Sequence, residues 1–165
     1  ALCLQLTSFN SVHALNNDLS KAGTYQVPIK SLESAAPISA VQTAFAKAFG
    51  DSLEVTVNED GKMQAIATLQ NMIINLGKEY YANVLTIANG TTLSTKVEKS
   101  TQGMNGQTVD VDVPEKILFD LPQLDENNST VLSITVDLIG FRAFWISSKL
   151  LLIPEILLYH WARYP

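Results

Sequence analysis

Over residues 23–140 the chain runs in short stretches of period two. Thr24-Tyr25-Gln26-Val27-Pro28-Ile29 alternates polar and apolar residues, with a proline that suits an edge strand. Leu53, Val55 and Val57 alternate with Glu54, Thr56 and Asn58, the pattern of a strand with one face buried. Asn58-Glu59-Asp60-Gly61-Lys62 places Asp-Gly between two alternating runs, which predicts a hairpin into a strand over 63–69. Further strands are predicted over 83–88, 92–98, 107–113 and 130–138, each bounded by Asn, Gly, Pro or Asp. Gly103 and Gly106 mark a hairpin turn between the second and third of these. About seven short strands at this spacing predict an all-β fold, an antiparallel β-sandwich.

One segment departs from that period. Residues 38–49, ISAVQTAFAKAF, put Ile38, Val41, Phe45 and Phe49 on one face at spacings of three and four. This predicts one short helix near the start of the domain, stopped by Gly50. Buried, its phenylalanines plug the sandwich; exposed, they cap one end and become a binding hot spot.

The ends differ in character from the domain. Residues 1–22 read as a leader, in which Leu2, Cys3, Leu4 and Leu6 followed by Val12-His13-Ala14 have the form of a secretory signal remnant. Residues 141–165 hold both tryptophans, three basic residues and one acid, Glu155. Lys149, Pro154 and Glu155 interrupt that run well short of the ~18–20 apolar residues of a membrane span. Three readings are open for this tail: an interfacial anchor, a helix docked on another surface, and a non-native sequence from a shifted reading frame. On composition it is set outside the domain, and any membrane contact is assigned to it alone.

Charge and chemistry narrow the function. The 165-residue chain carries a net charge of −5, and residues 23–140 hold seven Lys, no Arg and fourteen Asp plus Glu. Phosphate binding needs clustered cations, so nucleic acid is excluded as a partner. The lone cysteine, Cys3, and both histidines, His13 and His160, fall outside the domain, which removes a Cys or Ser–His nucleophile and a His-ligated metal from it. The carboxylate pairs Glu59/Asp60 and Asp125/Glu126 sit in predicted turns. Asp110 and Asp112 alternate with Val109, Val111 and Val113, which places both on a solvent-facing strand surface. No enzyme and no metal site is predicted.

The order Gly23-Thr24-Tyr25-Gln26-Val27-Pro28-Ile29, a short helix from Ser39, the Asp60-Gly61-Lys62 hairpin and Leu132-Ser133-Ile134-Thr135-Val136-Asp137-Leu138 resembles the NEAT (near iron transporter) family of Gram-positive surface haem-uptake modules. The resemblance spans 23–140. It implies an immunoglobulin-like sandwich, with haem in a groove between the short helix and the hairpin of the last two strands. It also implies secretion or cell-surface display, and haem or a host haem protein as partner. Leu132 and Val136 occupy the positions of the family's two haem-site tyrosines, and neither side chain can ligate iron. Ser39, at the family's propionate-binding position, doubles as a candidate helix N-cap. The pocket implied for haem comprises Ser39, Val41, Phe45, Met72, Tyr80, Tyr81, Leu132 and Val136, with Tyr25, Met63 and Met104 as further substitute ligands. The competing expectation is a protein-binding or structural, adhesin-like surface domain that holds no haem.

Overall fold

The computed structural model describes residues 19, 21–103, 105–138 and 141–153, with the backbone alone at 141–144. The elements are β1 (Gly23–Ser34), α1 (Ser39–Phe45), β2 (Ser52–Val57), β3 (Met63–Thr68), β4 (Met72–Asn75), β5 (Glu79–Ile87), β6 (Gly90–Gln102), β7 (Gln107–Leu121), β8 (Ser129–Leu138) and β9 (Phe141–Leu152). The nine strands form one curled antiparallel sheet in the order β4-β5-β8-β9-β1-β2-β3-β7-β6. The architecture is that of an all-β, sandwich-like fold, with a single short helix among the described residues.

A bend in β1 makes two layers out of one sheet. Its first half, from Gly23 to Pro28, pairs with β2, and its second half, from Ile29 to Ser34, pairs with β9, with a bulge between Ile29 and Ser31. A bulge sharpens twist and re-aims a strand, so β1 changes layers there. Pro28 sits at the crossover, where its missing N–H leaves no gap, and its carbonyl accepts the Ile153 N–H at 2.9 Å. The hairpin between β2 and β3 forms as its Asp-Gly pair predicts. Asn58 N–H donates to Lys62 O at 2.8 Å, and Gly61 takes φ +86°, a value that favours glycine.

Between the layers lies one core. Val27, Leu32, Leu53, Val55, Ala65, Ile74, Val84, Ile117, Phe119, Ile134 and Leu150 are all buried in it. Phe45 and Phe49 are in it too, the latter tilted against Phe119 with ring centroids 6.4 Å apart. The helix segment is therefore a plug. It is shorter than its apolar spacing predicts: α1 ends at Phe45, and 46–50 form turns that still point Ala48 and Phe49 inward.

The segment from Phe141 corrects the expected domain boundary. Set aside on composition as a tail, it supplies β9, which pairs β8 along one side and β1 along the other. Ile146, Ser148, Leu150 and Leu152 face inward while Trp145, Ser147 and Lys149 face out. That alternation was masked by the clustering of leucines over 150–152. The four-residue β4 was likewise missing from the expected strands, and the leader readings on 1–18 and the tail beyond 153 lie outside the described residues.

Truncating the chain after residue 140 is expected to abolish cooperative unfolding by circular dichroism, because β8 and half of β1 lose their ladder partner. Leu150→Ala, a buried truncation in the same strand, is expected to lower stability by about 2–5 kcal/mol in urea titration.

Candidate functional site

The residues assigned to a haem pocket are brought together only in part, and inside the core. Val41, Phe45, Met72, Tyr80, Leu132 and Val136 are all buried and belong to the same hydrophobic cluster. Leu132 and Val136 face that cluster together with Ile134, so the two positions matched to ligand tyrosines do not look onto a groove. Because side chains on a strand alternate, the outward residues are their neighbours Val131 and Ser133, and a register one residue over reverses every assignment. Ser39 is exposed and is not the N-cap: Ile38 holds that place, in extended conformation, with no side-chain cap. Tyr80 and Tyr81 point to opposite sides of β5. Tyr80 enters the core, while half-buried Tyr81 stays outside, its hydroxyl donating to Glu79 Oε1 at 3.0 Å and its ring 5.4 Å from Lys99 Nζ. Glu79 raises the Tyr81 pKa above its ordinary value, first through that hydrogen bond and then through its charge. Tyr25 is half-buried, with its hydroxyl donating to Lys21 O, Met63 is core, and Met104 lies outside the described residues. The buried members of the set come from α1, β4, β5 and β8 and share one packed core.

Polar chemistry gathers instead on the other face of β5 and β8. The long hairpin β6–β7 is an arm whose distal half folds back over that face. Four hydrogen bonds fasten it: Asn71 Nδ2 and Asn83 Nδ2 donate to Lys99 O at 3.1 and 3.0 Å, Tyr81 N–H to Thr101 Oγ1 at 2.8 Å, and Ser100 Oγ to Asp137 Oδ2 at 2.8 Å. Asp137 also accepts a short hydrogen bond from the backbone N–H of Asn83, its pairing partner on β5. The residue is only 9% exposed, and among the described residues no cation pairs with it. Burial pushes its carboxyl above the ordinary value of 3.8, opposed by the hydrogen bonds from Ser100 and Asn83.

Beside Asp137 the arm does not close fully on the body. A cleft of about 250 Å³ remains, walled by Leu85, Val109, Val111 and Val113, with Gln102, Asp112 and Asp137 supplying polar atoms. A second, more open cleft of about 690 Å³ lies between β1 and the turn after α1. It carries Lys30, Lys47, Asp51, Gln70 and Asn71, a mixed-sign rim. The remaining carboxylates behave as turn and surface residues. Asp110 and Asp112 are exposed, and Asp125 accepts from the backbone N–H groups of Asn127 and Ser129 and from Ser129 Oγ. Those bonds, Ser129 first, lower the Asp125 pKa. Asp137 drew no attention in the sequence. Its alternation with Val136 is that of a solvated position, and nothing local signals that an arm more than thirty residues earlier covers it.

No family model, no curated protein and no solved structure matches this chain.

The sign of the Asp137 effect on stability follows from its raised pKa. The folded protein holds that proton more tightly than the unfolded chain, so the contribution is whole below about pH 3.8 and is lost as pH rises through the folded value. Asp137→Asn, whose amide can donate to Ser100 Oγ and whose oxygen can accept from Asn83, is expected to be at least as stable as the parent at pH 7 and to flatten this slope. Ser100→Ala removes a hydrogen bond to a charged group and is expected to cost about 1.5–3 kcal/mol at pH 7. Urea titrations at pH 4 and pH 7 check both.

Proposed function

We propose that the chain is a non-catalytic binding module, secreted or displayed at a cell surface, that engages a partner protein on its exterior and holds no haem in its interior. One observation carries this reading: the space a porphyrin needs between the helix and the last hairpin is occupied by Val41, Phe45, Met72, Leu132 and Val136, all buried. Admitting a porphyrin there means displacing a close-packed core, and filled cores resist such change. The two positions that resemble ligand tyrosines carry aliphatic side chains, so no iron–oxygen bond is available there to offset that displacement. The exterior, by contrast, is dressed for contact. Trp145 is 61% exposed and Val131 62% exposed on the outward face of β8 and β9, among Ser133, Ser147 and Lys149. Tryptophan is the residue type most enriched among those that dominate binding energy at protein interfaces.

Titrating purified protein with hemin at micromolar concentration is the test. The expected result is the spectrum of free hemin throughout. A saturable, one-to-one shift of the Soret band overturns the exterior-binding reading and restores the haem module.

A further inference from the structure

From the outer side of β6 we infer that two copies of this chain pair antiparallel, edge to edge, through residues 92–98, about a two-fold axis at Thr95. This goes beyond the exterior-binding reading and does not depend on it.

Three observations meet on this strand. The first is its place. β6 ends the sheet order, and among the described residues it pairs with β7 alone. An edge strand offers a row of N–H and C=O groups to another strand. Lys99 shows which residues aim theirs outward. Its carbonyl accepts from both Asn71 Nδ2 and Asn83 Nδ2, which fills both lone pairs and turns it away from β7. Backbone groups alternate sides along an antiparallel strand, and the register with β7 is unbroken from Thr95 to Gln102. Val97 and Thr95 therefore aim theirs outward as well. The hydrogen bonds that fasten the arm to the body engage Lys99, Ser100 and Thr101, beyond this stretch.

The second observation is the row of side chains. Leu93, Thr95 and Val97 are exposed and alternate with half-buried Ser94, Lys96 and Glu98. Leu93 is 49% and Val97 63% exposed, so the outward row is apolar at two of three places. Lysine on an edge strand ordinarily guards against pairing. Here Lys96 Nζ is drawn onto Glu98 Oε2 at 3.0 Å and Leu69 O at 2.7 Å, on the strand's other face.

The third is self-complementarity. Antiparallel pairing of two identical strands is two-fold symmetric, and only the position of the axis is free. At Thr95 it sets Leu93 opposite Val97 of the second copy and Val97 opposite the second copy's Leu93. Lys96 then faces Ser94, and Glu98 faces Thr92. Apolar cross-strand pairs stabilise, and like charges directly opposite destabilise. An axis at Lys96 sets lysine against lysine. One at Ser94 parts the apolar residues, Leu93 to Thr95 and Val97 to Thr91. One at Val97 lays the second copy across Lys99, whose carbonyl is already taken.

Sedimentation velocity on the full chain, from micromolar to millimolar concentration, tests the pairing. The expected result is a monomer–dimer equilibrium. Val97→Lys, at an exposed position, is expected to weaken it at least tenfold. Thr95→Pro removes an outward N–H that β7 does not use and is expected to do the same, so the proposal stays testable if one variant folds badly. Thr95→Cys in a Cys3→Ser background checks the axis. Mild oxidation is expected to give a disulfide-linked dimer, whereas Lys62→Cys, on the β2–β3 hairpin in the same background, is expected to stay monomeric. A dimer unchanged in either folded variant, or equal cross-linking in the two cysteine variants, overturns the proposal. A single monomeric species at every concentration also overturns it and leaves the edge to a strand of another protein. None of these outcomes bears on the hemin titration, so this inference and the exterior-binding reading fail separately.

Discussion

The backbone ladder of β9 is the constraint on which the two-layer architecture depends. It pairs β8 on one side and the second half of β1 on the other, and β1 in turn carries the chain across its bulge into the layer of β2, β3, β7 and β6. Take β9 away and two interior strands face each other across a missing row of N–H and C=O groups, which apolar surroundings do not satisfy. The core then opens from its middle, since Ile146, Leu150 and Leu152 are among its buried members. The helix plug depends on the same closure, because Phe45 and Phe49 are buried only while both layers stand.

A plugged sandwich and an open haem groove are alternatives built from the same elements. Here α1 packs on β4 and β1, and its apolar face goes inward. The interior between the layers is thus spent on packing, with Val41, Phe45 and Phe49 among its buried members. Two outer regions are unlike the rest: the face of β8 and β9 with Trp145 and Val131, and the seam where the arm lies over Asn83 and Asp137. The seam is polar, with its groups mutually hydrogen-bonded around the buried Asp137 carboxylate. Satisfied polar networks fix how two elements sit together, which explains why the arm takes one position rather than sliding along β5.

Much of the fold was legible in the chain, and the errors are instructive. The hairpin at 58–62, the glycine turn at 103–106 and the strand over 130–138 appear where alternation and turn residues put them, because those signals act between neighbours. The expected strands at 92–98 and 107–113 were too short: β6 and β7 run on to 90–102 and 107–121, the latter through Pro114, which had bounded the expected strand. The sharper failure was at 141–152, where an apolar, aromatic stretch looked foreign to an acidic domain. A strand paired on both sides needs no charged residues, and its outward Trp145 and Ser147 depend on position, not on local composition. Of the residues assigned to a haem pocket, Val41, Phe45, Met72, Tyr80, Leu132 and Val136 lie in one buried cluster, whereas Ser39 is exposed and Tyr81 lies on the other side of β5; local alternation does not say which face of β8 turns to the core.

By itself the sequence determined the β class, the antiparallel hairpins, a short helix near the start of the domain and the absence of histidine and cysteine from residues 23–140, because periodicity, turn chemistry and residue type are local properties. Only the tertiary structure decided that the last strand completes the sheet, that the would-be ligand positions point into the core, and that Asp137 lies buried under a distant arm. Each of these turns on which strands become neighbours. That choice is made by burial and backbone pairing over the whole chain, and no window of a few residues contains it.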